Sequence, residues 1–81
     1  MRRVSGENDP DGVLPLLGEA IRCARTERQM SQEALADLAE IDRSHMGRIE
    51  RGERNVTILN LRKISNALNV SMAALLSDAR L

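Results

Sequence analysis

Basic side chains of a type suited to nucleic-acid recognition cluster in the middle of the chain. Between positions 43 and 63 there are six basic residues but only two acidic ones, Glu50 and Glu53. Five of the six are arginines, whose planar guanidinium donates paired hydrogen bonds to guanine or phosphate. The formal net charge is zero, which is unusual for a nucleic-acid binder, but the local charge of a contact surface matters more than the total. The six basic residues are Arg43, Arg48, Arg51, Arg54, Arg62 and Lys63.

The arginines lie on or beside a segment whose pattern predicts two short helices joined by a tight turn. Ser31 is a typical N-cap for the first helix, as is Asp42 for the second. Each helix has one apolar face at helical spacing. These faces consist of Leu35, Ala36 and Ala39 in the first helix and of Met46 and Ile49 in the second. Two short helices crossing steeply through small residues are typical of a helix-turn-helix.

The outward face of the second helix carries the residues that we expect to read DNA bases. Arg43, Ser44 and Arg48 lie on this face, and a helix in the major groove can present such side chains to base edges. The alternative is a solvated charged surface, which is the usual environment of arginine. The complete two-helix pattern favours the DNA-binding interpretation.

Neighbouring polar residues are predicted to contact the phosphate backbone. Gln32 opens the first of the two helices, and Arg51 ends the second. The loop that follows Gly52 and the start of the next helix supply backbone N–H groups and polar side chains suited to an anion. His45 is expected to contact either phosphate or a packed neighbour. The predicted phosphate contacts are Gln32, His45, Arg51, Arg54, Asn55 and Thr57.

The remaining chain predicts three more helices and hence an all-α domain. The first helix spans 13–29, with Pro15 in its first turn. A fourth begins after Thr57 and ends near Leu68, and a short fifth covers 72–77. Residues 1–12 are polar and rich in turn formers, so we expect a flexible tail there, followed by one domain over 13–81. Arg2 and Arg3 could alternatively form an arm in a minor groove.

Residues 31–55 resemble the lambda-repressor/Cro-like (Xre-type) family of bacterial and phage DNA-binding regulators. The resemblance rests on Ser31-Gln32-Glu33, on residues 48–52 (RIERG) and on residues 68–71 (LNVS). It covers roughly residues 16–76 and implies a five-helix lambda-repressor-like fold. The loop at 52–56 (GERNV), followed by 59–61 (LNL), resembles the controller proteins of restriction–modification systems.

Two further expectations follow from the resemblance. In the family an arginine at the position of Arg25 pairs with the glutamate at the end of the recognition helix, here Glu50, so we expect a structural ion pair. The family usually has glycine in the turn where this chain has Glu40. If Glu40 adopts a left-handed conformation, it costs about 1 kcal/mol relative to glycine.

Apolar residues near the C-terminal end predict a homodimer contact. Leu59 lies opposite the core face of the fourth helix, and Leu75 and Leu76 cannot both face one small core. The predicted interface comprises Leu59, Met72, Leu75 and Leu76. The alternative is that residues of the fifth helix only close the bottom of the domain. In a dimer, two recognition helices about 34 Å apart would reach successive major grooves.

These observations predict a transcriptional regulator that binds a double-stranded DNA operator, with RNA polymerase as a candidate partner. The resemblance implies an autoregulatory controller of a restriction–modification operon. The alternatives are a phage-type repressor and an antitoxin-like protein-interaction module. No spacing predicts an enzyme, a cofactor or a metal site. The single cysteine, Cys23, precludes an intramolecular disulfide, and no segment predicts a membrane span or signal peptide, so we expect a cytoplasmic protein.

Overall fold

The computed structural model describes residues 8–81, which form five helices around one core. The helices are α1 (Val13–Glu27), α2 (Gln32–Ala39), α3 (Arg43–Glu50), α4 (Ile58–Leu68) and α5 (Met72–Asp78). The prediction of an all-α, five-helix fold is confirmed. The expected tail lies largely outside the described residues, as do Arg2 and Arg3, which were considered as an arm.

The apolar part of the core is built by aliphatic and methionine side chains, because the sequence contains no Phe, Tyr or Trp. All five helices contribute to it. Helix α2 packs against α4, and α1 packs against both α3 and α5. The predicted stripe of α1, formed by Leu17, Ile21 and Ala24, is buried. The largest fully buried apolar side chains are Ile21, Leu35, Met46, Ile49, Ile64, Leu68 and Leu75.

Polar side chains define where four of the helices begin. Ser31, Thr57 and Ser71 each accept a hydrogen bond from the backbone N–H three residues later, at 2.9–3.1 Å. Asp42 accepts from the N–H groups of both Ser44 and His45 at the start of α3. These bonds satisfy N–H groups that have no partner within the helix.

The start of α1 is capped from further upstream. Both carboxylate oxygens of Asp9 accept from the backbone, one from Val13 N at 2.9 Å and the other from Leu14 N at 3.0 Å. The amide of Gly12 donates to the carbonyl of Asp9 at 3.0 Å. Residues 9–12, which the sequence analysis grouped with the tail, therefore form a turn that is tied to α1.

A left-handed residue lies at or just after the end of each of the five helices, namely Gln29, Glu40, Gly52, Asn69 and Arg80. Helix α1 ends two residues earlier than predicted, because Gln29 adopts φ 54° and the N–H of Met30 turns back to the carbonyl of Arg25. Glu40 ends α2 with φ 56° and ψ 44°, so the left-handed conformation considered for it is present. Asn69 ends α4 in the same conformation.

Two glycines allow α1 to lie directly on the end of α3. A Cβ added to Gly18 would lie 2.6 Å from the carbonyl oxygen of Ile49 and 2.8 Å from the carbonyl carbon of Glu50. A Cβ added to Gly52, which has φ 75°, would lie 2.6 Å from the backbone nitrogen of Pro15. Backbone therefore meets backbone at both positions, which fixes α3 relative to α1.

Candidate nucleic-acid interface

The exposed face of α3 and the first turn of α2 enclose a shallow groove of about 320 Å³. The groove is lined by Gln32, Arg43, Ser44, Gly47, Arg48 and Arg51. It brings together the three residues predicted to read bases and two of those predicted to contact phosphate. Three guanidinium groups on one groove form a surface suited to the edge of a nucleic acid.

The N-terminal end of α3 is held by Asp42. Its carboxylate accepts from the Ser44 hydroxyl as well as from backbone N–H groups of the first turn. The hydrogen bond from the Ser44 hydroxyl, supported by the one from the His45 amide, lowers the pKa of Asp42 below its ordinary value. Because the Ser44 hydroxyl donates its proton to Asp42, its oxygen can only accept further hydrogen bonds.

A buried ion pair fixes the other end of α3. Arg25 donates from Nε to Glu50 Oε2 at 2.7 Å and from Nη2 to Glu50 Oε1 at 3.0 Å. The Glu50 side chain is only 2 % exposed. Arg25 also donates from Nη1 to the carbonyl of Met30 at 2.9 Å, which ties the α1–α2 connection to the pair. The structure thus contains the Arg25–Glu50 pair that the resemblance implied.

Gln32 has a structural contact that the sequence analysis did not anticipate. Its Nε2 donates to Glu50 Oε1 at 3.0 Å. A carboxylate held on both oxygens by a guanidinium only accepts hydrogen bonds, so the amide oxygen of Gln32 faces away from it. That oxygen lies over Gly47, 3.4 Å from where a Cβ at this position would sit. At that distance a Cβ would be in ordinary van der Waals contact with the Gln32 oxygen, and the nearer atom is Arg51 Nη1 at 3.1 Å, so the open surface of Gly47 is where the ends of both side chains lie.

The other predicted phosphate contacts lie outside the groove lining. Arg54 is half-buried and donates from Nη1 to the carbonyl of Glu53 at 3.0 Å. Asn55 is exposed in the α3–α4 loop. The Thr57 hydroxyl oxygen is engaged as the cap of α4, and His45 is half-buried on α3.

The predicted dimer residues fall into two environments, and one of them needs correction. Leu59 is 73 % exposed at the start of α4. Leu75 is 1 % exposed and belongs to the core, so it cannot contact a second subunit while the domain stays folded. Met72 and Leu76 are half-buried and pack against the same core. Leu75 closes the domain, as the alternative interpretation held.

The described residues contain no group of three or more His, Cys, Asp or Glu side chains that could hold a metal ion. His45, the sole histidine, therefore belongs to no such group within residues 8–81. In the part of the chain that the structure describes, no helix combines the length and hydropathy needed to cross a membrane.

The fold and this surface define a helix-turn-helix domain of the DNA-binding class. The model of the family described as "Helix-turn-helix" matches residues 21–75. The match covers more than half of the chain, so the protein belongs to this family of DNA-binding transcriptional regulators, and the resemblance stated from the sequence is confirmed.

The similar proteins include several restriction–modification control proteins. The chain is 40 % identical to control protein C.SmaI of Serratia marcescens over 65 residues, which cover 80 % of this chain and 77 % of that protein. It is 44 % identical to control protein C.BamHI of Bacillus amyloliquefaciens over 62 residues, covering 75 % and 76 %. The crystal structure of the restriction-modification controller protein C.AhdI from Aeromonas hydrophila superposes with a TM-score of 0.76 at 42 % identity, covering 76 % and 94 %.

Proposed function

We propose that the protein is an autoregulating controller of a restriction–modification operon, which binds its DNA operator as a homodimer. The observation that carries the proposal is the groove between α2 and α3, where Arg43, Arg48 and Arg51 converge. The similarity to control proteins from three bacteria supports the regulatory role.

Within this proposal the groove residues divide into two roles. Arg43, Ser44 and Arg48 are exposed on α3 and read base edges in the major groove. The arginines donate to guanine, whereas the Ser44 oxygen accepts from a base amino group. The residues around them contact the phosphate backbone of the DNA. These are Gln32, His45, Arg51, Arg54, Asn55 and Thr57. Phosphate contacts fix the register of the protein on the duplex, and base contacts supply the sequence preference.

Dimerisation supplies the affinity that one domain lacks. A two-fold axis would place two copies of α3 one helical turn of DNA apart, at about 34 Å, so that both enter major grooves on one face. Leu59, with 73 % of its surface exposed, is the proposed contact on α4. The bound dimer then acts in the cytoplasm through its position relative to RNA polymerase, which it blocks or contacts.

The proposal is tested by binding to DNA from upstream of the protein's own coding region. Labelled DNA is needed, because the protein has no Trp or Tyr. Affinity for this DNA and for unrelated DNA of equal length is measured across a salt series. Tight, cooperative binding that persists to higher salt than binding to the control establishes sequence-specific autoregulation. If the affinities for the two DNAs fall equally as the salt concentration rises, only the electrostatic contribution remains, and the proposal is refuted.

A further inference from the structure

The carboxylate of Glu53 lies within the basic segment that faces DNA. From position 43 to position 63 the acidic residues are Glu50 and Glu53. Glu50 is buried against Arg25, so its charge is compensated inside the domain. The side chain of Glu53 is 27 % exposed, and its Oε2 accepts from Arg51 Nε at 3.0 Å. A negative charge thus lies beside an arginine of the proposed contact surface.

The ion pair gives the Arg51 guanidinium a defined direction. Nε is directed at Glu53, while Nη1 lies over Gly47, 3.1 Å from where a Cβ at this position would be. Arg51 also lines the groove together with Gln32, Arg43 and Arg48. The guanidinium therefore lies across the recognition helix with its terminal amino groups available to a ligand.

We propose that Glu53 is a specificity-determining residue, which restricts Arg51 to the one direction in which it meets a phosphate of the operator. This inference rests on the proposed function of operator binding and deepens it. On the operator, Arg51 donates from its terminal amino groups to phosphate and keeps Nε on Glu53, so the ion pair persists. On other DNA, where the register is not fixed, the pair offsets the charge of Arg51 and the carboxylate repels nearby phosphates.

The two complexes respond differently because they depend on different forces. Binding to unrelated DNA is almost entirely electrostatic, so it gains from every guanidinium that is free to follow a phosphate. Binding to an operator also depends on base contacts at fixed positions. Its affinity falls when a contacting side chain must first be oriented at the moment of binding. Removing the Glu53 charge should therefore favour unrelated DNA over the operator.

The test compares Glu53→Gln with the wild type on operator and unrelated DNA. Glu53→Gln is expected to bind unrelated DNA about fivefold more tightly, as an exposed ion pair permits. Its salt slope on unrelated DNA should steepen by roughly one phosphate contact, about 0.9. Operator affinity should stay within about twofold, so the ratio of the two affinities falls.

Two matched variants separate this role from a general effect of charge. Glu27→Gln removes the same charge from an exposed position on α1, outside the groove, and is expected to leave the affinity ratio unchanged. In an Arg51→Ala background, Glu53→Gln is expected to lose its effect, because the guanidinium that Glu53 directs is absent. Thermal melting followed by circular dichroism checks that each variant is folded.

Three results would overturn the inference. Equal effects of Glu53→Gln and Glu27→Gln would show that net charge alone is responsible. A full effect of Glu53→Gln without Arg51 would show that the pair is not involved. A wild-type protein with no operator preference would refute both this inference and the proposed function, whereas the first two results refute the inference alone.

Discussion

The carboxylate of Glu50 receives hydrogen bonds from two other helices at the end of the recognition helix. Arg25 reaches it from α1 and Gln32 from α2. Arg25 also donates a hydrogen bond to the carbonyl of Met30, between α1 and α2. A single buried carboxylate therefore holds together the three helices on which the groove between α2 and α3 depends.

Arg25→Ala should destabilise the fold strongly, because it leaves the Glu50 charge buried without its cation. We expect a loss of about 3–5 kcal/mol in the free energy of unfolding. Urea unfolding followed by circular dichroism measures it, since the chain lacks Trp. Arg22→Ala is the matched control on the same helix. Arg22 pairs with Glu19 at the surface, where the two side chains are 48 % and 57 % exposed, so little change is expected. Similar losses in both variants would contradict the assignment.

Arg43→Ala and Arg54→Ala should affect DNA binding in different ways. Arg43 is exposed in the groove, so its loss should cost about 1–3 kcal/mol at particular base pairs and relax the preference there. Arg54 lies in the loop outside the groove lining, so its loss should weaken binding to all sequences alike. Binding to a set of single-base operator variants distinguishes the two patterns. If Arg43→Ala keeps the full preference, Arg43 does not read a base.

At the scale of elements, the helix boundaries follow from local chemistry that the sequence displays. The caps at Ser31, Asp42, Thr57 and Ser71 were predictable, because these residue types precede apolar periodic segments. The early end of α1 was not, because Gln29 carries no signal for a left-handed conformation. The contact between Gln32 and Glu50 was also missed, since residues 18 positions apart meet only once α2 and α3 have packed.

Glu40→Gly should stabilise the turn between α2 and α3. Glu40 has φ 56°, a conformation that glycine adopts without a steric penalty from Cβ. We expect a gain of about 1 kcal/mol, which raises the melting temperature by about 4–8 °C in a domain of this size. Asn69→Gly is the matched control at φ 58°, and it should gain less because asparagine tolerates this conformation. A melting temperature that falls in Glu40→Gly would show that the glutamate side chain contributes contacts of its own.

At the scale of the molecule, the surface rather than the core limits what sequence reasoning can establish. The apolar spacing of α4 predicts a core face of Ile58, Leu61, Ile64 and Leu68, with Leu59 outside it. Leu61, Ile64 and Leu68 are buried and Leu59 is exposed, as predicted, but Ile58 is 66 % exposed and does not belong to the core. The adjacent leucines Leu75 and Leu76 could not be assigned in this way. Only the packing of α5 against α1 and α4 decides that Leu75 enters the core.

Leu59→Asp should shift the protein from dimer towards monomer, because a charge would be placed in the proposed apolar contact. Sedimentation velocity measures the change in mass. Leu38→Asp is the matched control, since Leu38 is 60 % exposed on α2 and lies outside the predicted interface. A dimer that persists in Leu59→Asp would remove Leu59 from the interface, and dissociation of Leu38→Asp alone would move the interface to α2.

The direct contact of Gly18 with α3 also determines where a reporter can be attached. Cys23 is the single cysteine of the chain and is exposed. Five residues after Gly18, it lies about 140° around α1 from the side that touches α3. The hydrogen bond from Cys23 to the Glu19 carboxylate raises the pKa of the thiol, so alkylation proceeds faster in mildly alkaline buffer. One fluorophore per subunit could thus be attached without engineering, on the side of α1 turned away from the recognition helix. The distance between two such dyes would report how a pair of subunits is arranged on DNA.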